Sequence, residues 1–198
     1  MATISDFKSR MIGGGARANQ FRVTLTFPEY VSGAVSGVAG RDAEFMCRGA
    51  ALPGSTIGNT PVNYRGRVVN FGGERTFTPW TVTIYNDTSF AIRDALEIWQ
   101  NGINNVETNR GRNRPSDYLV DLQVEHLDRN DEVLKRYTIR DAYPTNIGEI
   151  ALDFGTNDAI AEFTCEFTYQ FLKVLVVVLA VLQPLTQLLN LSIILLIK

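Results

Sequence analysis

A serine or cysteine nucleophile needs a general base beside it, usually histidine, and the chain offers one histidine, His126. His126 falls in phase with Tyr118, Val120, Leu122 and Val124 of an alternating segment, which makes it a hydrogen-bonded structural side chain rather than a base. Cys47 and Cys165 are the only cysteines and lie far apart in sequence. They lack the close spacing of a zinc site or a redox pair, and one histidine cannot complete a metal cluster. Both sit in phase with apolar neighbours and read as buried free thiols; a disulfide is open to them only if their strands pair. Gly13, Gly14 and Gly15 have the look of a phosphate cradle, but no strand precedes them and no Lys-Ser or Lys-Thr closes the motif. The carboxylate pairs Glu162 with Glu166 and Asp94 with Glu97 occupy patterns that face solvent, so acid/base catalysis is not their expected role. Arg110, Arg112 and Arg114 form the densest basic cluster. Their guanidinium groups suit phosphates or a partner's carboxylates, yet no aromatic residues interleave to stack on bases, and a solvated loop is the simpler reading. The expectation is therefore a chain with no catalytic, cofactor-binding or metal-binding residues.

Composition agrees with a folded, non-catalytic body. The chain has 198 residues, of which 45% are hydrophobic and 20% charged. That is ordinary for a globular protein of one core and excludes polar-disordered and collagen-like classes. A formal net charge of -2 provides no field that would attract DNA or an anionic membrane. Met1 to Arg10 carries no apolar signal core, so a cytosolic product is expected.

The elements that would position any site are mostly strands. Phe21, Val23, Leu25 and Phe27 alternate with polar residues until Pro28; Trp80, Val82 and Ile84 do so with Thr81, Thr83 and Tyr85. Tyr118 to Val124 and Val133 to Ile139, separated by the polar run Asp128 to Asp131, predict a hairpin. Phe163, Cys165, Phe167 and Tyr169 alternate with Glu162, Thr164, Glu166 and Thr168, a further half-buried strand. One segment follows the helical period: Ile92, Leu96 and Trp99, widened by Ala91, Ala95 and Ile98. Asp87 or Thr88 is the expected cap at its start and Gly102 the expected left-handed residue at its end. One helix among about six or more strands predicts an antiparallel β-sandwich or barrel with the helix packed against it. Gly54 to Gly73, with five glycines, reads as a long connection that reaches a neighbouring subunit.

The last stretch differs in character, because Val174 to Ile197 contains no charged residue. The expected organisation is a flexible N-terminal arm over 1–19, a β-domain over 20–170 and a hydrophobic extension over 171–198. Twenty-four uncharged residues could span a bilayer. Pro184, Gln183, Gln187 and Asn190 disfavour membrane insertion, leaving a strap between subunits or a terminus altered by its reading frame.

Three stretches together resemble the tail tube proteins of contractile-tailed bacteriophages. They are Phe45, Cys47, Arg48 and Ala51 to Pro53; Gly73 to Phe77 with Trp80 to Thr83, Asn86, Asp87 and the helix ending at Trp99 and Gln100; and Tyr143 to Glu149 with Leu152 and Asp153. The resemblance covers roughly Asn19 to Tyr169, and the family's chains end near the strand of Tyr169. It implies a β-sandwich-like tube fold that assembles as hexameric rings, stacked into a hollow cylinder inside a contractile sheath. Implied partners are the sheath, baseplate and tail terminator proteins, with viral DNA passing through the lumen without sequence-specific binding. Implied places are the virion tail and, during assembly, the host cytoplasm. On physical grounds beside this resemblance, Trp80 and Trp99 are expected core anchors, Pro144 and Gly148 are expected to fix a tight turn, and Arg75 to pair with an acidic neighbour. Glu162, Thr164, Glu166 and Thr168 are expected to contribute to a lumen that does not hold DNA, while the Gly54–Gly73 connection and the N-terminal arm are expected to make ring-to-ring contacts. Two alternatives stand beside it: the inner tube of a phage-derived injection or secretion system, and, from a different class, a membrane-anchored β-sandwich binding module.

Overall fold

The computed structural model describes residues 3–11, 15–35, 39–155 and 157–176. In chain order the elements are α1 (Ile4–Arg10), β1 (Phe21–Thr24), α2 (Glu29–Ala34), α3 (Ala39–Met46), β2 (Cys47–Ala50), β3 (Ser55–Tyr64) and β4 (Arg67–Phe77). There follow β5 (Trp80–Tyr85), α4 (Ala91–Ile103), β6 (Val120–Leu127), β7 (Val133–Ile147), β8 (Glu162–Thr168) and β9 (Phe171–Val176). The fold is mainly antiparallel β, as the period-two patterns predict. Among the described residues three short α-helices and a 3-10 turn at Pro115–Asp117 accompany the expected α4; α1, α2 and α3 have at most eight residues each, too few for a helical period to stand out.

One long strand organises the sheet. The first part of β7 pairs with β6 on one side and with β9 on the other, whereas Tyr143–Ile147 pairs with β8. The change of partner occurs at Asp141, which adopts a left-handed φ of 54° and donates its backbone N–H to an Asp121 carboxylate oxygen at 3.3 Å. Asp tolerates this conformation better than most residues. The strands thereby form two layers that share β7: β1-β6-β7-β9 and β7-β8-β5-β2.

Inward residues of both layers meet in one core. Val23, Leu122, Val124 and Ile139 come from the first layer, Val82, Ile84, Phe163, Cys165 and Phe167 from the second, and Ile92, Ala95, Leu96 and Trp99 from α4. Trp80 and Trp99 are fully buried, the core anchors expected of them, and each satisfies its indole N–H: Trp80 donates to the Ala51 carbonyl at 2.7 Å and Trp99 to the Tyr118 carbonyl at 2.9 Å. A buried indole without such an acceptor would lose much of the gain from burying its rings.

Local expectations around α4 are corrected. Its N-cap is Phe90, in the left-handed region at φ 55°, with no side-chain cap; Asp87 instead accepts the Phe90 N–H through its carbonyl and the Ser89 hydroxyl through its carboxylate. Gly102 lies inside the helix, which continues to Ile103. A Cβ on Gly102 would lie 2.4 Å from the Tyr30 ring, so the glycine admits a neighbour and does not end the helix. Pro144 and Gly148 do not make a tight turn. Pro144 is at a β-bulge of β7, where its missing N–H is tolerated, and Gly148 donates its N–H to the Thr164 carbonyl at 2.7 Å just beyond the strand.

The expected boundary at 170/171 falls between two strands of the same sheet, because β9 pairs with β7 from Phe171 to Val176. The rest of the expected hydrophobic extension, 177–198, lies outside the described residues. No helix among the described residues is long and apolar enough to cross a membrane.

Candidate assembly surfaces

The segment Gly54 to Gly73, read from the sequence as a connection, is a two-stranded ribbon. Strands β3 and β4 pair with each other and, among the described residues, with no other strand. Arg65 and Gly66 turn the chain with φ of 47° and 77°, the two positive values that a two-residue hairpin turn of matching twist requires. All ten residues of β3 and every residue of β4 but Phe77 are exposed. The register puts Thr60 opposite Phe71, Val62 opposite Val69 and Tyr64 opposite Arg67 on one side. Asn59, Pro61, Asn63, Val68 and Asn70 take the other, where the Asn59 side-chain amide donates to Asn70 at 3.0 Å. One side of the ribbon is thus largely apolar and the other largely amide.

The second layer presents a continuous polar face. Its β8 residues Glu162, Thr164 and Glu166 stand opposite Tyr85, Thr83 and Thr81 of β5. Arg48 on β2 pairs with Glu162, and on β7 the Thr145 hydroxyl donates to the Glu166 carbonyl at 3.1 Å. Its one arginine is therefore neutralised, and Glu166 adds a carboxylate. The outer face of the first layer is richer in cations: Glu125, 5% exposed, lies between Arg22 and Arg136, Arg140 pairs with Asp121, and Lys173 stands opposite Thr138.

Other sequence-selected groups fall into structural roles. His126 makes a 2.9 Å hydrogen bond with the Arg17 carbonyl, tying β6 to the residues before β1. Cys47 and Cys165 are free thiols on strands that flank β5 from opposite sides, so their strands do not pair. Burial pushes the Cys47 thiol up to about 11 and raises that of Cys165 further; both stay protonated and poorly nucleophilic at neutral pH. Arg112 stacks over the Tyr30 ring at 3.9 Å from its centroid, while burial raises the Tyr30 hydroxyl to about 12. The arginine loop is in part a clasp on α2 and α4. Glu97 pairs with Arg93 and, with exposed Asp94, borders an open groove of about 1080 Å³. Arg75 makes no ion pair among the described residues, where no group of three metal-ligating side chains occurs either.

Of the N-terminal arm, α1 begins with a capping box in which Thr3 and Asp6 satisfy each other's backbone N–H groups. The pattern Thr3-x-x-Asp6 could have signalled this helix. The ribbon's signal was the alternation Val62, Tyr64 and Val69, Phe71 around Arg65-Gly66.

Comparison with known proteins follows the same lines. A family described as phage tail tube protein matches residues 16–174. The tail tube protein of Serratia phage KSP90 is 34% identical over 171 residues, covering 85% of this chain and 95% of the relative. Tail tube protein gp19 of Enterobacteria phage T4 is 30% identical over 152 residues, covering 76% and 86%. Among solved structures, the sheath/tube terminator of an extracellular contractile injection system, PVC, in its extended state superposes with a TM-score of 0.57 at 12% identity, covering 81% of this chain and 96% of that one. This last likeness concerns the fold. The family match runs past Tyr169 into β9, so the family pattern does not stop where the sequence reading placed its end.

Proposed function

This chain belongs to the phage tail tube protein family, and from that membership we propose that it forms stacked hexameric rings making the inner tube that conducts viral DNA into the host. It is a structural subunit, not an enzyme, like its tail tube relatives. Its partners are further copies of itself, the surrounding sheath, and the baseplate and terminator that close the tube's ends. It assembles in the host cytoplasm and resides in the virion tail. The domain reading goes with this: an N-terminal arm and the ribbon reach neighbouring rings, and the β-body builds the wall.

The observation that carries the conduit is the polar face of the second layer. DNA held by many Lys or Arg side chains gains affinity by releasing counterions, so a wall of unpaired cations would retain DNA. The face built by Thr81, Thr83, Glu162, Thr164 and Glu166 has no cation except Arg48, already paired with Glu162. The first layer's outer face carries three arginines, each paired with Glu44, Glu125 or Asp121, and in addition Lys173 opposite Thr138, and suits contacts away from the lumen. Replacing Thr164 and Glu166 by Lys is expected to leave tubes intact and to reduce DNA delivery by assembled particles at least tenfold, measured as genome release into host cells. Unchanged delivery from particles with normal tails would remove this face from the lumen.

A further inference from the structure

The ribbon and the β7–β8 connection both expose apolar side chains, and their charges are opposite. An isolated two-stranded hairpin is marginal in water, yet β3–β4 extends for ten residues, about 34 Å at 3.4 Å per residue, and no layer among the described residues lies behind it. On its apolar side Val62 is 45% exposed, Val69 42% and Phe71 56%. The ribbon also carries Arg65, Arg67 and Arg75 against the single carboxylate Glu74.

The connection between β7 and β8 presents Leu152 at 89% and Phe154 at 107% relative exposure. Between Glu149 and Glu162 it contains Asp153 and Asp158 and no Lys or Arg. One Asp153 oxygen accepts the Gly155 N–H at 2.8 Å, which leaves its other oxygen able to accept from a guanidinium. Apolar anchors flanked by carboxylates here match apolar anchors flanked by arginines on the ribbon.

We infer that the apolar side of the β3–β4 ribbon of one copy docks on the Leu152–Phe154 connection of another, with Arg67 and Arg65 directed at Asp153 and Asp158. This rests on the stacked-ring reading and adds to it the receiving surface and the side of the ribbon that is covered. Val62, Val69 and Phe71 lose their exposure to Leu152 and Phe154, and charge pairing sets the register. The amide side, with Asn63 and Asn70, stays outside the contact.

Full-length Val62→Cys and Phe154→Cys chains, mixed and oxidised under conditions in which wild type forms tubes, test this. A mixed disulfide between the two variants is expected, with Asn63→Cys replacing Val62→Cys forming it at least tenfold more slowly, because a disulfide needs the two Cα atoms within roughly 7 Å. Arg67→Glu is expected to raise the concentration needed for tubes at least tenfold, and Asp153→Arg in the same chain to restore most of it. Tubes without the mixed disulfide, or equal cross-linking through Asn63, overturn the inference alone. A double variant that links only within one chain overturns it as well, by placing the ribbon on its own body. Wild-type chains that never leave the monomer overturn the stacked-ring reading and this docking with it.

Discussion

At Gly102 a single hydrogen atom decides the packing of three elements. The Tyr30 hydroxyl donates to the Trp99 carbonyl at 2.9 Å, and its ring lies where a side chain on Gly102 would stand. Gly102→Ala should raise helix propensity by about 1 kcal/mol and still destabilise the protein by about 1–3 kcal/mol, because Tyr30 must move and release Arg112. Urea denaturation checks the sign: a more stable variant would show that the contact is soft. The cysteines give a second residue-scale outcome. The Cys47 thiol ionises near 9 when unfolded and near 11 when folded, so its contribution is intact below pH 9 and is lost as pH rises through 11. Cys47→Ala should flatten the fall in melting temperature between pH 9 and 11, and an identical slope would contradict the assignment. Trp80 and Trp99 were legible in the sequence because phase with apolar neighbours reports burial directly, whereas His126, in phase with the same strand, is only half-buried and makes its hydrogen bond with the Arg17 carbonyl. Gly102 was not, since a glycine near a helix end is equally consistent with a cap, and only the ring of Tyr30, distant in sequence, tells the two apart.

Among elements, legibility follows the buried face. Strands β5 and β8 bury alternate residues throughout, and each is read correctly from its period; β6 alternates as far as Val124, where Glu125 is buried as well and a register shift moves the phase to Leu127. The β3–β4 ribbon buries almost nothing against the described residues, so its alternation, interrupted at Gly58 and at Gly72-Gly73, reads as a loop. Those glycines have a physical role: a Cβ on Gly73 would meet Gly58 backbone at 3.2 Å, at the register shift where the strands approach closely. The ribbon should therefore be dispensable for folding. Replacing residues 56–76 by a short Gly-Ser turn, which keeps Phe77 against Tyr169 at 5.6 Å, is expected to leave the melting temperature within about 5 °C of wild type, since no core residue is lost. Circular dichroism on heating reads this directly, and a cooperative transition lowered by much more would mean that the ribbon packs on its own body.

The whole molecule is an antiparallel body with one shared strand, and its class was legible from the sequence. The path of that strand was not. Asp141 lies within an uninterrupted run from Val133 to Ile147, and no local signal marks it as the place where β7 passes from the β6 and β9 pairing to β8. That bend sets the two outer faces apart, one laced with several ion pairs and Lys173, the other mostly hydroxyl and carboxylate with a single paired arginine, and a tube wall needs such a difference between its inside and outside. Electron cryomicroscopy of the purified full-length protein tests the tube most directly. Six-fold rings stacked into hollow cylinders, with Thr164 and Glu166 on the inner wall and the β3–β4 ribbon covered by a neighbouring copy, are the expected result. Dispersed monomers at high protein concentration in the presence of a baseplate nucleus, or solid filaments without a lumen, would contradict it.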